Sequence, residues 1–162
     1  MKKINSVLAE SLTHQALETG RLRKNYNFHE SYNENIQRML NALEPGTYLP
    51  PHRHSNPHKD EYFLVLMGEI MLIEFTEEGT IVDYFLMNPL KGNFGCEVKA
   101  GIWHTLISLA PGSVIYEFKE GPFIPISPEN IAPWAPDAAD SVTVANYIQK
   151  LIEEVNSLER GR

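Results

Sequence analysis

The stretch from Pro45 to Gly68 limits the possible folds and functions of this chain more than any other, because several histidines lie close to prolines there. It contains half of the six histidines, namely His52, His54 and His58. Glu61 follows them within a few residues. The two prolines just before His52 disfavour a helix, so the backbone is expected to be extended. Residues two apart on an extended strand point to the same face, which would place the His52 and His54 imidazoles side by side.

This pattern is typical of a metal site. Two neutral imidazoles with a carboxylate on the next strand suit a divalent transition metal. A further histidine, His104, begins a later β-like run, and strands far apart in sequence can be neighbours in a closed barrel. We therefore expect His52, His54, Glu61 and His104 to bind one divalent metal, which could be iron, zinc, manganese or nickel. The alternative interpretation is a surface loop that is merely rich in histidine.

Residues 36–120 alternate short apolar runs with turn residues. The runs are 36–43, 48–54, 61–67, 69–75, 80–87, 96–99, 103–109 and 113–119. The turn at 77–79 separates two of them and predicts a hairpin. So many short strands predict an antiparallel sandwich or barrel rather than alternating strands and helices.

Segments of different character flank these runs. Apolar residues at helical spacing predict a helix over residues 4–19, which Gly20 would end, and another helix near the C-terminus. The polar stretch 21–35 is expected to be an irregular arm that packs through its aromatic rings. We interpret the chain as one structural domain with four parts: a helix and arm (1–35), a β-barrel (36–120), a proline-rich strap (121–140) and a C-terminal helix (141–162).

Charge and composition exclude several classes of partner. The net charge is −7 and no basic cluster appears that could neutralise several phosphates, which argues against nucleic-acid binding. No apolar run approaches the length of a membrane span. The single cysteine, Cys96, excludes an intramolecular disulfide and fits a reducing compartment. We expect a cytoplasmic protein that has neither nucleic acid nor membrane as a partner.

Two motifs resemble those of the cupin superfamily. The residues similar to the first motif are Gly46, His52, His54, Glu61 and Gly68. Gly101 and His104 resemble the heart of the second motif. The spacing from His54 to Glu61 is longer than is usual in cupins, so His58 is an alternative fourth ligand in place of Glu61.

The chain as a whole resembles the WbuC family of cupin-fold metalloproteins. The similar stretches are NYNFH (25–29), RMLNALEPGTY (38–48), PHRH (51–54), AGIWHT (100–105), EFKEGP (117–122) and APWAP (132–136). The resemblance implies a mainly β, single cupin barrel or jelly roll with an N-terminal and a C-terminal helix. It also implies a bound metal and a role in surface-polysaccharide sugar pathways. Since cupins are commonly dimers, we expect a homodimer.

Three histidines and one carboxylate would leave coordination positions open to water or substrate. We expect a metal-dependent isomerase or epimerase that acts on a small molecule such as a sugar derivative, and we favour an enzyme over a binder. The candidate catalytic residues are Tyr48, Arg38, Glu117, Lys119 and His29. Tyr48 shares strand parity with His52, so it should face the barrel interior. One alternative is an Fe(II)-dependent dioxygenase that acts on a small organic substrate. Another is a non-catalytic protein that binds a small molecule through its metal, and a third is a protein whose metal only stabilises the fold.

Overall fold

The computed structural model describes residues 1–161, in which two antiparallel β-sheets are flanked by helices. The strands are β1 (Arg23–Asn27), β2 (Ile36–Leu43), β3 (Glu61–Met67), β4 (Ile70–Phe75), β5 (Ile81–Met87), β6 (Gly95–Val98), β7 (Trp103–Ser108) and β8 (Ser113–Glu120). The helices are α1 (Ser6–Leu17) and α2 (Ser141–Arg160), with short 3-10 turns at Pro89–Lys91 and Pro128–Asn130. Arg162, the last residue of the predicted C-terminal helix, lies outside the described residues.

The two sheets pack on each other through apolar side chains. One sheet has five strands in the order β1-β2-β8-β3-β6, and the other has three in the order β5-β4-β7. The core between them is formed by Leu43, Phe63, Val65, Ile70, Leu72, Met87, Val98, Leu106 and Ile115. This arrangement confirms the prediction of a mainly β jelly roll with helices at both ends.

Strand β3 shows how the pleat positions a site residue. Glu61, Phe63 and Val65 point inward and are buried, whereas the residues between them are exposed. Successive side chains on a strand alternate between its two faces. Glu61 therefore lies on the inner face of the sheet, where only 1% of its surface is exposed.

Each helix covers the outer face of one sheet. Ala9, Leu12 and Ala16 of α1 pack with Leu40 of β2 on the outer face of the five-stranded sheet. Asn5 caps α1 by accepting a hydrogen bond from the Leu8 N–H (3.1 Å), which explains why the helix begins two residues later than predicted. The apolar face of α2 packs on the outer face of the three-stranded sheet through Val144, Ile148, Leu151 and Val155. Among the described residues, no helix is both long enough and apolar enough to span a membrane.

Two local predictions need correction. Residues 21–35 were expected to be irregular, but β1 lies within them and pairs with β2 from Arg23 opposite Leu43 to Asn27 opposite Met39. The run 48–54 was expected to be a strand, but only His52 makes isolated bridges there. The prolines at 50 and 51 lack the N–H groups that a continuous ladder needs.

The strap of residues 121–140 lies against this loop. The Arg53 N–H donates to the Asn130 carbonyl (2.9 Å), and the Ala132 N–H donates to the Pro51 carbonyl (2.9 Å). These bonds hold residues 50–54, the histidine loop, against the strap. The loop therefore has a defined position although it is not a regular strand.

Candidate metal centre

The candidate ligands come from three separate parts of the chain. His52 and His54 lie in the loop before β3, Glu61 is the first residue of β3, and His104 lies in β7. The peptide groups of His52 and His104 are hydrogen-bonded in both directions, with N···O distances of 3.0 and 2.9 Å. This pair joins the loop to the three-stranded sheet, while Glu61 belongs to the five-stranded sheet. The four side chains therefore meet between the two sheets.

The functional atoms of these residues converge closely. Glu61 Oε2 lies 2.9 Å from His104 Nε2 and 3.3 Å from His54 Nε2. Candidate ligand atoms of His52, His54 and Glu61 all lie within 4.8 Å of one another. The His52 and His104 rings are 4.5 Å apart between centroids. His54, Glu61 and His104 are buried, and His52 is half-buried.

Backbone carbonyls determine which nitrogen of the His52 and His104 rings can bind a metal. His52 Nδ1 lies 3.0 Å from the Pro50 carbonyl oxygen, and His104 Nδ1 lies 2.9 Å from the Ile102 carbonyl oxygen. A carbonyl oxygen can only accept, so each Nδ1 carries the hydrogen and each Nε2 presents a lone pair. Burial lowers the pKa of His52 to about 3, which keeps this imidazole neutral at physiological pH.

The resulting arrangement fits a metal cation. His104 Nε2 and an oxygen of the ionised Glu61 carboxylate both present lone pairs, and they face each other at 2.9 Å. Among the described residues, His54 Nε2, His104 Nε2 and Glu61 Oε2 are buried without a well-formed hydrogen bond. Buried acceptors left without a donor are costly. Imidazole nitrogens with one carboxylate are the donor set that zinc, iron, manganese and nickel accept.

Lys119 keeps Glu61 ionised. Its Nζ lies 2.6 Å from Glu61 Oε1 and 3.2 Å from Glu117 Oε1. Burial alone would raise the pKa of Glu61, but the positive charge of Lys119 holds that pKa well below its ordinary value. Burial likewise disfavours the Lys119 ammonium, yet the charges of Glu117 and Glu61 raise the pKa of Lys119 above its ordinary value. Lys119 thus occupies Oε1 and leaves Oε2 facing the histidines.

A cavity of about 330 Å³ opens beside the cluster. Its wall is the inner face of the five-stranded sheet, where Lys119 lies opposite Glu61 and Glu117 opposite Phe63 in the register of β3 and β8. The apolar part of the lining includes Phe63, Leu106 and Ile115. The cavity therefore brings the cluster, two further charged groups and an apolar surface together, as small-molecule sites do.

Three basic residues without a predicted role also border the cavity: Arg21, Arg23 and Lys24. Asn41 is a further missed residue, and its side-chain amide donates to Glu117 Oε2 (2.6 Å). The available signal was the run Arg21-Leu22-Arg23-Lys24, which is strongly basic in an acidic chain. Only the pairing of β1 with β2 shows that this run borders the cavity.

Three of the predicted catalytic candidates lie elsewhere. The Tyr48 hydroxyl donates to the Pro136 carbonyl (3.0 Å), and its ring packs edge-on against Tyr147 of α2, outside the cavity. The irregular backbone at the prolines breaks the strand parity on which the inward orientation of Tyr48 was predicted. Arg38 forms an ion pair with Glu34. His29 is buried, and its Nδ1 accepts from the Arg38 N–H (3.1 Å).

The alternative ligand His58 is exposed and bridges Ser55 through its backbone. Among the described residues, the group whose candidate ligand atoms all lie within 4.8 Å of one another is His52, His54 and Glu61. It includes neither His58 nor His104, but His104 adjoins it, with Nε2 2.9 Å from Glu61 Oε2. Glu117 and Lys119, the remaining catalytic candidates, do line the cavity. The geometry thus brings together the three histidines, Glu61 and these two charged side chains.

Comparison with known proteins gives the family. A family model described as "Domain of unknown function (DUF6016)" matches residues 4–87, just over half of the 162 residues. The chain belongs to this family. The DUF6016 match contains His52, His54 and Glu61 and ends before His104. No match was found among curated proteins.

Solved structures show the fold class. An RmlC-like cupin protein from Desulfovibrio desulfuricans is 18% identical, with a TM-score of 0.51, over 74% of this chain and 96% of that chain. CapF from Staphylococcus aureus, described as a capsular polysaccharide assembling protein, is 17% identical with a TM-score of 0.53. That likeness covers 66% of this chain and 30% of CapF. Together they confirm the cupin fold that the motifs predicted.

Proposed function

We propose that this protein is a metal-dependent cupin of the WbuC type that acts on a sugar or sugar derivative in surface-polysaccharide biosynthesis. In this proposal His52, His54, Glu61 and His104 hold one divalent metal. The observation that carries it is the pair of facing lone pairs, Glu61 Oε2 and His104 Nε2, which are 2.9 Å apart and buried. A bound cation would satisfy both atoms at once.

The cavity and the resemblances support a sugar-like substrate. Small-molecule sites combine an apolar surface with a few converging polar groups, and the cavity offers both. The similarity of residues 21–137 to the WbuC family favours a sugar pathway. CapF, which has a similar fold and is a capsular polysaccharide assembling protein, points in the same direction.

The proposed reaction is isomerase- or epimerase-like proton transfer. A bound divalent metal would polarise a carbonyl or hydroxyl oxygen of the substrate. Glu117 is the proposed base, because Asn41 and Lys119 hold its carboxylate at the cavity wall. It would accept a proton from the carbon next to the polarised carbonyl and return it. The Lys119 ammonium would donate a hydrogen bond to the oxygen on which charge develops.

Exchange of substrate protons with solvent tests this reaction. Metal-loaded protein is incubated in heavy water with a panel of sugars, sugar phosphates and nucleotide sugars, and deuterium incorporation at carbon is followed by NMR. We expect exchange with at least one compound, and we expect Glu117→Gln to abolish it. Glu120→Gln, at the exposed end of the same strand, is the matched control. Absence of exchange, together with oxygen consumption by the iron-loaded protein, would instead favour the dioxygenase.

The proposal includes a cytoplasmic homodimer. The outer face of β3 exposes Tyr62, Leu64 and Leu66, and Phe94 beside it is 62% exposed. Rows of exposed apolar side chains often mark interfaces between proteins. Light scattering of the purified protein measures the mass directly. A monomer at micromolar concentration would contradict this part of the proposal.

A further inference from the structure

Two side chains join the histidine loop to β7 on the side away from the candidate ligands. Arg53 lies between His52 and His54, and Trp103 comes directly before His104. Trp103 belongs to the apolar cluster that α2 covers, on the outer face of the three-stranded sheet. The Arg53 guanidinium carbon lies 4.1 Å from the centroid of the Trp103 ring. The two segments that carry the histidines are therefore also in contact behind the site.

The carboxylate of Glu77 binds both of these side chains. Glu77 lies in the turn between β4 and β5. Its Oε1 accepts a hydrogen bond from Arg53 Nη1 (2.6 Å), and its Oε2 accepts one from Trp103 Nε1 (2.9 Å). The hydrogen bond from Trp103 and the contact with Arg53 lower the pKa of Glu77 below its ordinary value, so it is ionised at physiological pH. A guanidinium that both stacks on a ring and bonds to a carboxylate is restricted to one orientation.

The strap fixes the turn that carries Glu77. Trp134 Nε1 donates to the backbone carbonyl of Glu77 (3.0 Å), and the Trp134 ring packs on Phe75, with centroids 5.0 Å apart. Gly79 lies against the same ring, since a Cβ there would come within 2.7 Å of it. The backbone of the turn is thus held by contacts that do not involve the histidine loop. Glu77 can therefore act as a fixed point to which the loop is attached.

We infer that Glu77 is a positioning residue for the metal centre, which it serves through Arg53 and Trp103. By binding these two side chains, it would hold the histidine loop and the start of β7 at the spacing that a shared metal requires. The inference rests on the proposed function, and Glu77 itself touches neither the ligands nor the cavity. Groups that orient metal ligands from behind commonly change metal affinity about ten-fold or more when they are removed.

Glu77→Ala tests this role, and Glu78→Ala is the matched control. Glu78 is exposed in the same turn, and its carboxylate has no partner within residues 1–161. Competition with a chromophoric chelator measures the affinity for zinc. Hydrogen exchange of the His52 and Arg53 amides is measured by NMR on metal-free protein. Both amides are hydrogen-bonded, at 3.0 and 2.9 Å, so their exchange reports opening of the histidine loop.

The expected result is a local effect of Glu77→Ala. It should bind zinc about ten-fold more weakly than the wild type. The two amides should exchange several-fold faster. The melting temperature of the metal-free protein should stay close to that of the wild type, because an exposed ion pair contributes little to global stability. Glu78→Ala should match the wild type in all three measurements.

Several outcomes would overturn the inference. One is a wild-type exchange rate in Glu77→Ala, and another is a wild-type zinc affinity. A third is a lower melting temperature with equally faster exchange in β2 and β8, which would show a general structural role. If the wild-type protein binds no zinc, the proposed metal site fails separately, and the exchange rates alone decide whether Glu77 positions the loop.

Discussion

His52 and His104 exchange backbone hydrogen bonds in both directions, at 3.0 and 2.9 Å, although 51 residues separate them in the chain. This pair fixes two imidazoles with their centroids 4.5 Å apart. The carbonyls of Pro50 and Ile102 then orient both rings through Nδ1. The candidate site is therefore organised by backbone contacts that need no metal, as preorganised sites are.

Removal of the Glu61 charge should destabilise the fold itself. Glu61→Gln leaves the buried Lys119 with Glu117 as its remaining partner, and breaking a buried ion pair costs about 3–5 kcal/mol. Since Glu117 stays in place and the new amide can donate to His104 Nε2, we expect a reduced loss of about 1–2 kcal/mol in the free energy of unfolding of metal-free protein. Urea denaturation measures it. Glu97→Gln is the control, because the Glu97–Lys99 pair is exposed to solvent and contributes little to stability. Equal stability of the two variants would contradict the buried pair.

Gly68 should not tolerate a side chain. It has φ +79°, and a Cβ there would lie 2.6 Å from the Ser113 Cα, which is a backbone contact that cannot move aside cheaply. Gly92 has nearly the same φ, +82°, with nothing within 4 Å of its Cβ position. Gly92→Ala should therefore cost only the backbone strain of about 1–2 kcal/mol. Gly68→Ala should cost about 2 kcal/mol more, since steric overlap in a packed region adds to the strain. Similar melting temperatures for the two variants would contradict this packing.

The Cys96 thiol should be nearly inert in the folded protein. Burial, with a smaller contribution from Glu74, raises the pKa of Cys96 to about 12. The thiolate is the reactive form, and at pH 8 its fraction would be roughly a thousand-fold below that of an ordinary thiol of pKa ~8.5. The reaction with an aromatic disulfide reagent at pH 8 should be slow in buffer and fast in urea. A rapid reaction of the folded protein would show that the thiol is accessible and unperturbed.

The sequence predicted the positions of the inner strands β2 and β3 well. Both β2 and β3 have the predicted bounds, Ile36–Leu43 and Glu61–Met67, since turn residues and apolar runs mark their ends. Strand β1 was missed because its residues are polar. It lies at the edge of its sheet, and most of its side chains are exposed. Such a strand forms through backbone pairing that its composition does not reveal.

The candidate site was likewise predictable only in part. The spacing of His52, His54 and Glu61 could be interpreted locally, and the structure places these residues together with His104. Tyr48 was expected beside them, but the prolines that follow it redirect its ring towards α2. The cations of residues 21–24 reach the cavity only through the register of β1 with β2, which is a long-range relationship.

Metal content tests the central claim most directly. Elemental analysis would be applied to protein purified without added metal or metal-affinity resin, alongside His52→Ala and His58→Ala. We expect about one equivalent of iron, zinc, manganese or nickel in the wild type and in His58→Ala, because the exposed His58 lies outside the cluster. His52→Ala should lose most of the metal. Full metal occupancy in His52→Ala, or a wild type that takes up no metal on dialysis, would contradict the account.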